Sequence, residues 1–104
     1  AVSAEVRFSD LPFFEGVESQ VLADNVPAGS FNNLKFVRDS LDMEDAIPEH
    51  HVLMAADAQT SGGLLLAVPP EREGRLLEAL EARGQSFWRV GAVSEGPARI
   101  RFLP

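Results

Sequence analysis

At the start of the chain apolar and polar residues take turns: Val2, Ala4, Val6 and Phe8 alternate with Ser3, Glu5 and Arg7. A period of two is that of a strand with one buried face. The spacing then lengthens. Phe14, Val17, Val21 and Leu22 recur at helical intervals and predict a helix from Glu15 to Asp24, entered through the turn Leu11-Pro12-Phe13-Phe14. Pro27 and Gly29 end it, because proline cannot continue a helix and glycine accepts a left-handed backbone. Ser30 is a good N-cap for a second helix that carries Leu34, Val37 and Leu41 on one face. The acidic stretch Asp42 to Asp45 reads as an exposed linker, and Pro48 fits the first turn of a short helix through Ala55.

The second half opens on a different pattern. Leu64 to Val68 is an unbroken apolar run between glycines and prolines, which predicts a central strand covered on both faces. Pro69-Pro70-Glu71-Arg72-Glu73 starts the best-defined helix, with prolines where amides have no partner and glutamates at the positive end of the dipole. Its buried stripe is Leu76, Leu77 and Leu80; Glu71 and Arg75 form an i, i+4 pair, Arg83 closes the last turn, and Gly84 suits the left-handed residue beyond it. Gly74 costs about 1 kcal/mol relative to alanine, which the other signals outweigh. Phe87 to Val93 and Ala98 to Leu103 read as two strands joined in a hairpin by Ser94-Glu95-Gly96-Pro97. The sum is an α+β fold, an open sheet with helices packed on it.

Composition narrows the classes of function. A chain of 104 residues, 45% of them hydrophobic, suffices for one core and is too short for two, so a single domain over residues 1–104 is expected. Nine basic against sixteen acidic residues give a net charge of −7, a field that repels phosphodiester backbones and anionic lipid heads. Neither nucleic acid nor a membrane surface is an expected partner. There is no cysteine, which excludes disulfides, thiolate metal sites and a cysteine nucleophile within this chain. No run approaches the ~20 apolar residues of a membrane span and no charged-then-apolar leader opens the chain, so a cytoplasmic protein is expected. Ala1 in first place fits a processed product or a domain taken from something longer.

The loop Asp57-Ala58-Gln59-Thr60-Ser61-Gly62-Gly63 is the main chemical candidate. Paired glycines leave their amides unshielded, free to meet an anion or to let another backbone approach, and Gln59, Thr60 and Ser61 add neutral donors. On the residues alone the structural reading leads: Asp57 and Thr60 close the turn by side-chain to backbone bonds, and Gly62-Gly63 begin a crowded strand. With no lysine after the glycines this is no Walker loop, and the glycines are too few for a dinucleotide fingerprint. His50 and His51 are neighbours whose side chains on a helix diverge by about a quarter turn or more, so they are expected to be solvated and not to share a metal. The run Asp42, Glu44 and Asp45 has oxygens that suit magnesium, but acidic linkers usually stay solvated, and no ligand is assigned there. Of Phe87 and Trp88 one should be core and the other surface; Phe13, Phe14, Phe31 and Phe36 are expected mostly in the core.

The same loop, read on through Leu64-Leu65, resembles the D-P-Q-T-S-G-G-L-L segment of the selenophosphate synthetases (selenide, water dikinases), with Ala58 where that family usually has proline. Two more segments follow the family's order. Val26-Pro27-Ala28-Gly29-Ser30-Phe31-Asn32-Asn33-Leu34 is similar to its I-P-G-G-T-x-R-N-L turn, and Val90-Gly91-Ala92-Val93 to its I-G-x-V strand. The resemblance implies the C-terminal domain of the aminoimidazole ribonucleotide synthetase-like superfamily, a mixed sheet between helical layers. It also implies an ATP- and magnesium-dependent parent that phosphorylates selenide to selenophosphate with release of AMP and phosphate. The family's reactive cysteine or selenocysteine, its lysine and its magnesium-binding aspartates lie mostly in an N-terminal domain. The C-terminal domain's opening D-V-T-G-F-G-L-x-G-H stretch has no counterpart here either, so no catalytic residue carries over. Asp57, Gln59, Thr60, Ser61, Gly62 and Gly63 are left as candidates for the wall of a nucleotide cleft between the two domains.

Phosphoryl transfer needs cations and donors arranged around developing charge, so this chain alone is expected to be inactive and to hold no cofactor. Its expected partners are the N-terminal ATP-binding domain of the same parent and, through an open sheet edge, further copies of itself. A rival reading is a non-catalytic binding or oligomerisation domain of the same fold, in which Ala58 and Phe31-Asn32 mark drift from the enzyme. A third is a thiamine-phosphate or hydrogenase-maturation relative, against which the run Gln59 to Gly63 speaks.

Overall fold

The computed structural model describes every residue from Ala1 to Pro104. Strand β1 (Val2–Arg7) passes through a 3-10 turn at Phe8–Asp10 to the short helix α1 (Val17–Leu22) and then to α2 (Ala28–Val37). A second 3-10 turn, Arg38–Ser40, leads into β2 (Leu41–Met43) and α3 (Glu49–Ala55); α4 (Pro70–Ala82), β3 (Gly91–Glu95) and β4 (Ile100–Leu103) complete the chain. The strands form one sheet in the order β2-β4-β1-β3. It is mixed: β1 runs antiparallel to β3 and parallel to β4, and β2 runs parallel to β4. The α+β expectation is met.

The predicted hairpin is not. β3 and β4 do follow one another closely in sequence, but β1 lies between them and bonds to both. The connection crosses the start of β1, where the Gly96 amide donates to the Ala1 carbonyl (3.3 Å) and the Ala4 amide to the Arg99 carbonyl (2.9 Å). Turn chemistry alone cannot tell a hairpin from a connection that steps over a third strand. Gly91 has a specific role in this pairing: a Cβ built there would lie 1.9 Å from the Glu5 carbonyl oxygen, so only glycine lets β3 approach β1.

One face of the sheet is covered. Leu34 from α2, Ile47, Val52 from α3 and Phe102 from β4 form the core, with Val6, Phe8, Leu11, Val37, Leu41 and Leu53 packed around them. Phe8 stacks on His51, with ring centroids 3.9 Å apart, and meets Phe13 and Phe102 on its other sides. Only seven residues of 104 are buried, a small number that fits an uncovered second half. Every residue of β3 is exposed, and α4 buries none, its Leu76, Leu77 and Leu80 being half-covered. The radius of gyration is 15.0 Å, against about 13 Å for a compact chain of this length.

Several boundaries shift for identifiable reasons. α1 is shorter than predicted because Gly16 (φ 85°) and Asp24 (φ 61°), both left-handed, bracket it. Gly29, expected to be left-handed, sits inside α2, which begins at Ala28 with Pro27 in the capping position instead of Ser30. Leu41 leaves the helix face for β2, which also takes up Asp42, so the acidic stretch is only partly a linker. Pro48 is the cap of α3 and not a first-turn residue. α4 starts at Pro70 and is followed by Gly84 at φ 63°, as predicted, but Arg83 is its cap and not in its last turn, Glu73 and not Glu71 makes the ion pair, with Arg89, and the leucine stripe is half-covered and not buried. Three of the four phenylalanines assigned to the core are exposed, Phe14 by 91%, Phe36 by 88% and Phe31 by 54%; Phe13 is half-buried. Phe87 is half-buried and Trp88 exposed, the expected division, although both precede β3.

The largest departure is Leu64–Val68. It joins no strand, and Leu64 and Leu65 are 90% and 84% exposed. An unbroken apolar run demands a cover on each face and a neighbour on each edge. Within this chain the helical layer lies over β1, β2 and β4, and nothing pairs with the run.

Candidate functional site

The two longest stretches that carry the family resemblance meet in space. Ser30 points inward from the first turn of α2, on the same face as Leu34 four residues on, and is fully buried. Its hydroxyl donates to Asp57 Oδ1 (2.8 Å) and accepts from the Ala58 amide (3.0 Å). Both capacities of the group are therefore used, which is how a buried hydroxyl avoids a desolvation cost. Asn33 Nδ2 adds a bond to the Ala56 carbonyl (3.0 Å). Gly29 lies against the same loop, and a Cβ there would sit 2.8 Å from the Ala58 Cβ. Glycine is needed at position 29 for contact and not for a left-handed turn.

This clasp sets Asp57 on the rim of an open cleft of about 350 Å³ between α1, the Asn25–Pro27 turn and α3. Glu15, Gln20, Asn25 and Asp57 supply its polar lining and Val21 and Met54 its apolar part. Asp57 is bound by Ser30 and not by its own turn, and Thr60 makes no side-chain bond at all; the expected closure by these two residues does not occur. Gln59, Thr60, Ser61, Gly62 and Gly63 are all exposed, so of the six candidates only Asp57 is anchored. Gly62 and Gly63 keep negative φ; a Cβ at Gly62 would come within 3.0 Å of Gln59 Oε1, and at Gly63 would meet nothing. From Gln59 through Val68 the backbone makes no hydrogen bond within the chain. Such a loop offers exposed amide and hydroxyl donors.

Sequence reasoning passed over two features. The sequence marks Ser30 as a cap, whereas its place on the inward face with Leu34 makes it a buried contact. Glu18 was not considered, yet His50 Nε2 (2.8 Å) and His51 Nε2 (3.1 Å) both bond to its Oε1. The two histidines therefore converge instead of diverging: their rings meet edge to face at 4.5 Å, because a carboxylate from α1 gives both a common target. These bonds hold the Glu18 carboxyl below the usual carboxylate range. The acidic run does not converge. Asp42 pairs with Arg99, whose Nε is 3.0 Å from Oδ2 and whose Nη2 bonds Oδ1, while Glu44 and Asp45 stay exposed.

The family model described as AIR synthase related protein, C-terminal domain, matches residues 2–102. The chain belongs to this family. Among individual proteins, it is 37% identical over 99% of its length to a selenide, water dikinase of Nitratidesulfovibrio vulgaris (strain DP4). It is 32% identical over 93% of its length to the enzyme of the same name from Carboxydothermus hydrogenoformans, and 39% over 72% to that of Myxococcus xanthus. The chain spans 30%, 28% and 21% of those relatives, so this AIR synthase-related domain corresponds to about a third or less of each.

Proposed function

We propose that this domain is the C-terminal part of a selenide, water dikinase, which makes selenophosphate from selenide, ATP and water and releases AMP and phosphate. The observation that carries the proposal is the Ser30 clasp, which knits the two longest resemblance-bearing segments into one surface with Asp57 at its rim. In this reading the domain walls one side of a nucleotide cleft. The exposed donors of Gln59 to Gly63 face the phosphates of ATP, while the magnesium ions and the reactive group are held by an N-terminal domain. The chain itself supplies positioning and exclusion of water, in keeping with a loop of exposed amide and hydroxyl donors. No helix is long and apolar enough to cross a membrane, and we place the enzyme in the cytoplasm.

The same reading explains the second half. Leu64–Val68, with bare backbone and exposed leucines, waits for strands that the preceding part of the parent supplies. In their absence the isolated chain associates with itself through this segment and the exposed β3 edge. The exposed edge equally favours a second reading, a non-catalytic association domain. The parent protein assayed for selenide-dependent AMP formation separates them: turnover supports the dikinase, and a folded parent without turnover supports the second reading. The isolated chain should show none in either case.

A further inference from the structure

We propose that Glu18, His50 and His51 form a divalent transition-metal site, best suited to Zn²⁺, that clips α1 to α3. The donor atoms Glu18 Oε1, His50 Nε2 and His51 Nε2 lie within 4.8 Å of one another, and nothing else in the molecule brings three such groups together. Two of the three separations are 2.8 and 3.1 Å. A tetrahedral zinc with bonds of about 2.0–2.1 Å needs its ligand atoms about 3.3–3.4 Å apart, so small side-chain adjustments open the required space. Two imidazoles and a carboxylate leave a fourth position for water, and this donor set suits zinc and its neighbours better than magnesium or calcium, which prefer oxygen alone.

The setting favours the site. His51 is fixed by stacking on Phe8, with ring planes 7° apart, so its nitrogen is already aimed. Both histidines are mostly shielded, their side chains 26% and 22% exposed, while Glu18 reaches in from solvent. The chain's net charge of −7 attracts a cation. Binding puts one metal ion where Nε2 of each ring meets Glu18, and each neutral imidazole keeps its single proton on Nδ1. The consequence is mechanical. α1 buries no residue of its own, and α3 carries the histidines in its first turn and hands over to Asp57 just past its end. A metal bound here therefore fixes α1, one wall of the cleft, against the helix that presents Asp57.

The test is calorimetric titration of the metal-free chain with Zn²⁺, joined to visible absorption with Co²⁺ as a spectroscopic stand-in. Wild type should take up one equivalent. Glu18→Gln, His50→Gln and His51→Gln should each weaken binding more than about tenfold, the least that even outer-shell changes commonly cost. Circular dichroism of each variant shows whether it is folded, and Co²⁺ paramagnetic broadening of wild-type NMR signals locates the ion without any substitution. Broadening centred on Phe8, Glu18, His50 and His51 supports the site. Absence of saturable uptake, affinity unchanged in folded variants, or broadening centred on Asp42 to Asp45 overturns it.

Discussion

Residues 26–58 and residues 59–68 carry the same family resemblance, and the chain treats them in opposite ways. In the first, every buried polar group finds its partner at home: Ser30 bonds Asp57 and Ala58, Asn33 bonds Ala56, and Leu34 and Val52 join Phe102 in the core. In the second, ten successive residues have no backbone partner and Leu64 and Leu65 face solvent. Strong sequence signals therefore separate into two kinds. Some describe what a segment does with its own chain, and others describe what it does with a neighbour.

The largest effects should fall in the core that the first region packs into with Phe102 of β4. Phe102→Ala removes the most central side chain of the core and should cost about 3–5 kcal/mol, seen as a lowered urea midpoint. Leu65→Ser, a change of comparable chemistry, should alter the same midpoint by less than about 0.5 kcal/mol, since that side chain is exposed. It should instead reduce self-association in sedimentation. Equal stability losses for the two would erase the distinction between the regions.

Next in size is the clasp. Ser30→Ala leaves the Ala58 amide and one Asp57 oxygen without their buried partner, at an expected cost of about 1–3 kcal/mol. Gly29→Ala should be destabilising through its contact with the Ala58 side chain, and Ala58→Gly in the same chain should restore much of the loss. Thermal melts of the single and double variants measure this coupling. Additive losses would mean that the turn and the loop do not press on each other.

How much was legible beforehand follows the same line. The α4 helix was readable because its prolines, early glutamates and Gly84 act on their own backbone. The positions of Gly29 and Gly91 stood out as motif glycines, but their reason, an Ala58 methyl and a Glu5 carbonyl brought close, lies in distant segments. Adjacency in sequence implies divergent rings for His50 and His51, and Glu18, more than thirty residues away, is the partner that draws both together. Leu64–Val68 reads in sequence as a central strand covered on both faces, and here it joins no strand and stays exposed. Periodicity records a demand for burial and is silent on who meets it. The loop Gln59–Gly63 shows the same limit in polar form, since its donors were plain in sequence but only Asp57 beside them is held in place by this chain.

The smallest expected effect concerns pH. Arg99 holds the Asp42 carboxylate with its fork of N–H groups and reaches the Asp39 carbonyl at 2.6 Å, tying β2 and the turn before it to the start of β4. The hydrogen bonds from Arg99 keep the Asp42 carboxyl below its ordinary range in the folded chain. In the unfolded chain that restraint is gone, so on acidification the unfolded state binds the proton first and stability falls with pH. The contribution is complete above the ordinary aspartate range and is lost as the pH drops through the lowered folded value. Because the pair is open to solvent the effect is modest and should shrink in added salt. Asp42→Asn should therefore lower the neutral portion of a plot of urea midpoint against pH slightly, leave its most acidic points unchanged, and so flatten the acid limb between them. Glu73→Gln, which breaks the exposed pair with Arg89 in the looser half, should move neither portion, and a flattened acid limb there instead would place the acid-sensitive contact in the wrong region.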